Sequence, residues 1–140
     1  MPIVQHMWDQ EKEHLQTFEK LIVKNRSERS LLSPLWNVGG FALGYFSAKL
    51  GSRAAMATTV AVEKTITEHY DQQLRKLMSD KDAYEENKEL IELISKFRDE
   101  EQEHHDTGLE NEAEKTPFYN LIYHGVQCIC KVSIKIAEKI

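Results

Sequence analysis

The chain has 140 residues, which is enough for one domain with a buried core. Charged residues make up 29% of it and hydrophobic residues 41%, a balance that is normal for a folded soluble protein. The formal net charge of -5 argues against nucleic-acid binding, because contacts with phosphates need a basic surface. We therefore expect a single folded domain, residues 1–140, with no nucleic-acid partner.

Apolar residues recur with a helical period along the chain, and the alternation typical of strands is scarce. The pattern predicts an all-α protein with helices at about residues 3–24, 35–50, 53–78, 84–110 and 118–140. In the first helix we expect one buried face, formed by Val4, Met7, Trp8, Leu15, Phe18 and Ile22. Pro34 occupies a first-turn position that helices tolerate. Asp82 or its neighbour is the expected cap of the fourth helix.

An internal repeat relates two parts of the chain. Residues 11–17 (EKEHLQT) are similar to residues 101–107 (EQEHHDT), and residues 33–37 (SPLWN) are similar to residues 116–120 (TPFYN). Because the two motifs recur in the same order, they suggest a duplicated unit made of a helix, a turn and an apolar helix. Each copy of the unit carries a Glu-x-x-His sequence.

The Glu-x-x-His pairs are Glu11 with His14 and Glu101 with His104. Residues three apart on a helix project from the same side, so each pair can bind one metal ion or two adjacent ions. Bundles that bind two iron atoms use Glu-x-x-His on two helices and a lone Glu on two others. Carboxylate-rich ligation favours iron or manganese over zinc. A single pair of this kind is more often solvent-exposed than a ligand pair, and the repetition is what favours a metal site.

Glu63 is the candidate for a further carboxylate ligand. It follows the apolar run at residues 57–62 and shares a helical face with Val60 and Ile66. A buried carboxylate without a partner is costly, so it tends to be neutralised, paired or bound to metal. The alternative is a surface glutamate beside Lys64. The sequence favours the buried position.

Four motifs are distinctive: residues 7–14 (MWDQEKEH), 34–38 (PLWNV), 59–63 (TVAVE) and 97–106 (FRDEEQEHHD). They resemble the 5-demethoxyubiquinone hydroxylase family, and the resemblance extends over essentially the whole chain. It implies a ferritin-like di-iron bundle and a monooxygenase that uses oxygen to hydroxylate the ring of a demethoxyubiquinone precursor in ubiquinone biosynthesis. It also implies two iron ions per chain, with NADH as the reductant.

The ligand set that the resemblance implies has five members: bridging Glu11 and Glu101, His14 and His104 with one iron each, and terminal Glu63. Family members carry a further ligand in an earlier helix, the Glu of an Arg-x-Asp-His-Ala-Gly-Glu-like motif. The duplicated unit likewise requires a matching Glu before Met1. We therefore expect an incomplete bundle whose first core helix is missing, with impaired activity.

The resemblance also implies additional functional residues and partners. His69 and Tyr70 are similar to a family pair near the metal site, where Tyr70 would relay electrons or protons from the quinone. The alternative is a core tyrosine with a satisfied hydroxyl. A lipid-binding accessory protein would present the substrate. The expected location is the matrix face of the mitochondrial inner membrane, as a peripheral protein.

Two apolar helices are candidates for membrane contact. Residues 35–50 are too few to span a bilayer, which takes about 20 residues. Residues 118–140 carry lysines at 131, 135 and 139, and this i, i+4 spacing forms one basic stripe. The pattern is typical of a helix that lies in the membrane interface. Ordinary core helices are the alternative interpretation.

Two other functional classes remain open beside the hydroxylase. One is an iron-binding or iron-storing ferritin relative, which would not need the apolar segments after Pro34 and Pro117. The other is a non-catalytic helical adapter without metal, which an incomplete metal site would favour. Metal content and product formation distinguish the three classes.

Overall fold

The computed structural model describes residues 2–139, and their regular structure is entirely helical. Six α-helices are joined by short turns, and a 3₁₀ helix at Ala113–Lys115 precedes the last of them. The α-helices are α1 (Pro2–Lys24), α2 (Ser33–Lys49), α3 (Ser52–Ser79), α4 (Lys81–Glu86), α5 (Lys88–Glu110) and α6 (Tyr119–Ala137). The prediction of an all-α protein is confirmed for these residues, while the predicted last residue of α6, Ile140, lies outside them.

The central helix of the bundle is α3. It packs along α5 and α6 and also contacts α2 and α4, whereas α1 packs against α5. The most deeply buried large side chains lie on α3 and α5: Val60, Phe97 and His104. The long helices thus pack around a shared core, as in the expected ferritin-like bundle.

The helix predicted at residues 84–110 is in fact two helices. The break is at Asn87, which leaves the helical conformation with φ −117° and ψ 21°. Its side-chain amide donates to the carbonyl oxygen of Ala83 at 2.8 Å, and its own carbonyl accepts from Ile91 of α5. Local hydrogen bonding of this kind competes with a continuous helix, and the helical periodicity alone does not reveal it.

The cap of α4 is Asp80, and the prediction of Asp82 or its neighbour is wrong. The Oδ1 atom of Asp80 accepts from the backbone N–H groups of Asp82 at 2.8 Å and Ala83 at 3.2 Å. Asp80 can do this because its backbone is extended, with φ −112° and ψ 127°, as is usual for a residue that caps a helix. Asp82 lies inside the first turn of α4. There its negative carboxylate interacts favourably with the positive N-terminal end of the helix dipole.

The predicted apolar face of α1 is only half buried. Its residues divide into partly buried Met7, Phe18 and Ile22 and exposed Val4, Trp8 and Leu15. Trp8 exposes 61% of its surface and Leu15 exposes 59%. The prediction is wrong for these exposed residues, because α1 packs against α5 and that contact covers a narrower stripe than the periodicity implies.

Many apolar side chains on α2 and α6 are exposed to solvent. On α2 they are Leu35, Val38, Phe41, Tyr45 and Phe46, and on α6 they are Leu121, Ile129, Val132 and Ile136. Ordinary core helices would bury such residues. Across the described part of the chain, every helix falls short of the combined length and hydropathy that crossing a bilayer requires.

Candidate metal centre

The candidate metal centre lies where α1, α3 and α5 face one another. The spacing of three residues places Glu11 and His14 on one side of α1. On α5 the same spacing turns Glu101 and His104 toward α1, while Glu63 comes from the middle of α3. One ligand atom from each of four of these residues lies within 4.8 Å of the others: Glu11, Glu63, Glu101 and His104.

His14 completes this group from the side of α1. Its Nδ1 atom lies 3.1 Å from Oε1 of Glu101 and 3.9 Å from Oε2 of Glu11. On α5, Nδ1 of His104 lies 3.4 Å from Oε1 of Glu11 and 3.3 Å from Oε2 of Glu101. The structure therefore brings all five residues of the expected ligand set together, with the Nδ1 atoms of both histidines directed at the glutamates.

Each of these histidines also has a hydrogen-bond partner on its outer side. Nε2 of His14 lies 2.7 Å from Oε2 of Glu100, and Nε2 of His104 lies 2.9 Å from Oε1 of Gln10. Because a carboxylate can only accept, His14 donates its Nε2–H, and the neutral form of this tautomer has a lone pair on Nδ1 that can bind a metal ion. Sequence reasoning did not identify Gln10 or Glu100, although the internal repeat aligns them with each other.

The donor atoms of this group could hold a metal ion. Nδ1 of His14 and Oε2 of Glu101 are buried and have no hydrogen-bond partner. Buried polar atoms are almost always satisfied, and a bound cation would satisfy both. The donors are carboxylate oxygens and imidazole nitrogens without any thiolate, a set that suits iron or manganese. Glu11 exposes 47% of its side chain, so one side of the group is open to solvent.

The side chains of the group shift one another's pKa values. Burial, together with the charge of Glu101, a hydrogen bond with Glu101 and the charge of Glu11, raises the pKa of Glu63 well above its usual value. Burial acts to lower the pKa of His104, but the adjacent carboxylates of Glu101 and Glu11 raise it to about 10. Glu63 and His104 therefore keep their protons to a higher pH than usual, whereas the hydrogen bonds that Glu101 receives keep its pKa low, at about 2, against the effect of its burial. A bound cation would displace the protons of Glu63 and His104.

Tyr70 and His69 occupy different environments. Burial and the charges of Glu101, Glu11 and Glu63 raise the pKa of Tyr70, so its hydroxyl stays protonated at neutral pH. The ring of Tyr70 packs against the buried apolar side chains Leu74, Ile91 and Ile94. His69 lines a groove between α3 and α6, together with Lys131 and other polar residues. Its Nε2 atom is 3.1 Å from Nε2 of Gln73. The charges of the candidate metal centre thus act on Tyr70, whereas His69 lines the groove beside α6.

Comparison with known proteins identifies the family. The family model described as "Ubiquinone biosynthesis protein COQ7" matches residues 1–137. The rat protein named "NADPH-dependent 3-demethoxyubiquinone 3-hydroxylase, mitochondrial" is 51% identical over 139 residues, which is 99% of this chain and 63% of the relative. The human protein of the same name is also 51% identical, with the same coverage of both chains. The chain therefore spans less than two thirds of the length of these relatives.

More distant relatives agree with this assignment. A yeast protein, Saccharomyces cerevisiae "5-demethoxyubiquinone hydroxylase, mitochondrial", is 42% identical over 148 residues, covering 99% of this chain and 64% of its own length. The bacterial "3-demethoxyubiquinol 3-hydroxylase" of Rhodospirillum rubrum is 39% identical over 138 residues, covering 99% of this chain and 62% of its own length. On these matches, the chain belongs to the ubiquinone biosynthesis protein COQ7 family.

Proposed function

We propose that this chain is a di-iron monooxygenase that hydroxylates the ring of a demethoxyubiquinone precursor in ubiquinone biosynthesis. The observation that carries the proposal is the convergence of five metal-binding side chains from α1, α3 and α5. The names of the relatives support the substrate class, since they describe hydroxylases of demethoxyubiquinone or demethoxyubiquinol.

The proposed ligands have different roles in binding two iron ions. Glu11 and Glu101, which lie near both histidines, would contact both ions. His14 and His104 would each bind one ion through Nδ1, and Glu63 would be a terminal carboxylate. Bound iron in its reduced state supplies the chemistry of oxygen activation. The carboxylates stabilise the positive charge that develops on oxidation.

The overall reaction needs two electrons from an external reductant. One oxygen atom of O₂ forms the new ring hydroxyl, and the other leaves as water, with two protons and the two electrons of a reduced nicotinamide. The resemblance implies NADH, whereas the rat and human relatives are named as NADPH-dependent. We propose a reduced nicotinamide nucleotide as the electron source and compare both forms in the assay below.

Tyr70 is the proposed proton or electron relay beside the metal centre. Its raised pKa, caused by burial and by the charges of Glu101, Glu11 and Glu63, keeps the hydroxyl protonated and able to donate. His69 lies one residue earlier and faces the groove between α3 and α6. Its proposed role is to assist proton movement from that groove.

The exposed apolar side chains of α2 and α6 support a peripheral membrane location. Lysines 131 and 135 on α6 and Lys139 after it add positive charge, which anionic lipid headgroups attract. The animal and yeast relatives are named mitochondrial. We propose the matrix face of the inner membrane as the location. A lipid-binding accessory protein would deliver the polyprenyl substrate.

Metal analysis and product analysis together test the proposal. The chain is loaded with Fe²⁺ without oxygen, desalted, and analysed for iron by mass spectrometry. A demethoxyquinone, ¹⁸O₂ and either NADH or NADPH are then added, and the quinone is analysed for one added ¹⁸O atom. Two irons and a labelled product support the hydroxylase. Two irons without product favour an iron-binding ferritin relative, and absence of iron favours a helical adapter.

A further inference from the structure

A groove of about 340 Å³ lies between α3 and α6. Its walls are mostly polar: Glu68, His69 and Gln72 come from α3, and Lys131 and Lys135 come from α6. This volume is at the small end of the range for ligand pockets, which is roughly 300–1,000 Å³. The groove therefore suits a small polar group, such as an anion or the headgroup of a larger molecule.

The charges around the groove are positive in sum. Glu68 lies 3.7 Å from Nζ of Lys64 and 3.6 Å from Nζ of Lys131, so two lysines share one carboxylate. Lys135 follows one turn after Lys131 and makes no ion pair within the described part of the chain. Glu138 also lines the groove and supplies a second negative charge. Three lysines thus oppose two glutamates, and an anion in the groove would balance the remaining positive charge.

The wall formed by α3 adds neutral hydrogen-bond donors. The side-chain amide of Gln72 is exposed at the groove. The amide nitrogen of Gln73 lies 3.1 Å from Nε2 of His69. Because an amide nitrogen only donates, Nε2 of His69 accepts and Nδ1 carries the hydrogen of the neutral ring. Gln72 and His69 can therefore each donate an N–H to an anion in the groove, and the lysines supply the opposite charge.

The groove lies beside exposed apolar side chains of the same helix. Successive residues of a helix are rotated by about 100°, so Lys131 and Lys135 flank the stripe formed by Ile129, Val132 and Ile136 on α6. Ile129 is 57% exposed and Val132 is 51% exposed. A phospholipid has both a charged phosphate and apolar chains, and the groove and the stripe offer a contact to each part.

We propose that the groove between α3 and α6 binds the phosphate of one anionic phospholipid, whose acyl chains lie along the apolar stripe of α6. Lys131 and Lys135 contact the phosphate oxygens, and Gln72 donates a hydrogen bond from the opposite wall. This inference rests on the proposed membrane location. It adds a single, saturable headgroup site, which fixes how α6 is rotated on the membrane surface.

Titration calorimetry with dihexanoyl phosphatidylglycerol, kept below the concentration at which it forms micelles, tests the site without a charged membrane surface. The wild-type chain should bind one lipid. Lys135→Gln should weaken binding about tenfold or more, because it removes a charged hydrogen bond. Gln72→Leu should weaken binding about two- to tenfold without a change in charge. Lys139→Gln removes the same charge outside the groove and should change the affinity by less than about twofold.

Two other ligands identify the occupant. Dihexanoyl phosphatidylcholine contains a phosphate but has no net charge, so it should bind at least about tenfold more weakly. Inorganic phosphate lacks acyl chains and should also bind at least about tenfold more weakly than phosphatidylglycerol. Equal affinity for phosphatidylcholine would overturn the preference for an anionic headgroup. Equal affinity for inorganic phosphate would overturn the lipid as the occupant.

Vesicle binding separates this inference from the membrane location. Co-sedimentation compares phosphatidylcholine vesicles with and without phosphatidylglycerol. Every lysine near an anionic surface adds diffuse attraction, so Lys139→Gln should bind the anionic vesicles more weakly than the wild-type chain, and Lys135→Gln more weakly still. Equal losses in the two variants would overturn the headgroup site and leave the membrane location standing. A folded chain that binds neither kind of vesicle would overturn both.

Discussion

Gly108 of α5 lies directly against Val60 of α3, so closely that a Cβ atom built on Gly108 would come within 2.6 Å of Cγ2 of Val60. The carbonyl oxygen of Met56, one turn earlier on α3, would be 3.3 Å away. Because this second neighbour is backbone, it cannot move aside cheaply. The two helices that carry Glu63 and Glu101 are therefore held together at a point where only glycine fits.

Gly108→Ala should destabilise the protein by about 1–3 kcal/mol, the usual cost of adding a methyl group to a packed core. Urea denaturation of the metal-free chain measures this free energy of unfolding. Gly125→Ala on α6 is the matched control, since no atom lies within 4 Å of its added Cβ. Alanine is favoured over glycine in a helix by about 0.5–1 kcal/mol, so the control should be equally or more stable. Equal stability of the two variants would contradict the close packing.

Glu63→Gln should have opposite effects on stability and on metal binding. Burial and the charges of Glu101 and Glu11 raise the pKa of Glu63, so folded Glu63 keeps its proton at a pH where unfolded Glu63 has lost it. Its contribution to stability is therefore present below the unfolded pKa of about 4.5 and is lost as the pH rises above that value. Glutamine does not ionise and avoids this loss.

In the presence of EDTA, the Glu63→Gln variant should thus be more stable than the wild-type chain at pH 7, with a smaller difference at pH 4. Its retention of iron should be weaker by more than about tenfold, as expected when a ligand or its partner is lost. Glu68→Gln, a partly exposed residue paired with Lys64 and with Lys131 of α6, is the control: it should leave iron retention unchanged and should not gain stability at pH 7. Unchanged iron content in Glu63→Gln would count against the proposed ligand set.

Tyr70→Phe should slow product formation by about 100-fold, within the range for a lost proton-transfer group. The iron content should stay at the wild-type level, because Tyr70 is not one of the proposed ligands. Iron analysis and quinone mass spectrometry on the same sample separate the two effects. Tyr84→Phe on α4 removes an exposed hydroxyl and should have no effect. An unchanged rate in Tyr70→Phe would exclude the relay.

Removal of exposed apolar side chains from α2 and α6 should weaken membrane binding. Phe41 is 76% exposed and Leu121 is 74% exposed, so their replacement by serine should not disturb the core. Burying such a side chain in lipid is worth about 1.5–3 kcal/mol, so the double variant should bind vesicles at least about tenfold more weakly. Co-sedimentation with vesicles that contain anionic phospholipid measures this. Val23→Ser on α1, which is 78% exposed, should bind like the wild-type chain.

Much of the helical architecture follows from local patterns in the sequence. Five stretches with a helical period became α1, α2, α3, α5 and α6, because burial of an apolar stripe requires that period. The gathering of the Glu-x-x-His residues and Glu63 at one place could also be anticipated, since a spacing of three sets the face of a helix and a carboxylate in an apolar run needs a partner.

Other features depend on how the helices lie against one another, and no single helix encodes them. The exposure of Trp8 and Leu15 reflects the narrow contact between α1 and α5. His69 lines a groove because α6 lies beside α3. The hydrogen bonds from His14 to Glu100 and from His104 to Gln10 require a particular axial offset between α1 and α5, and only the packed structure sets that offset. Sequence periodicity determines on which face of its helix a residue lies. Tertiary packing decides whether that face contacts solvent or another helix, and which residues of that helix it contacts.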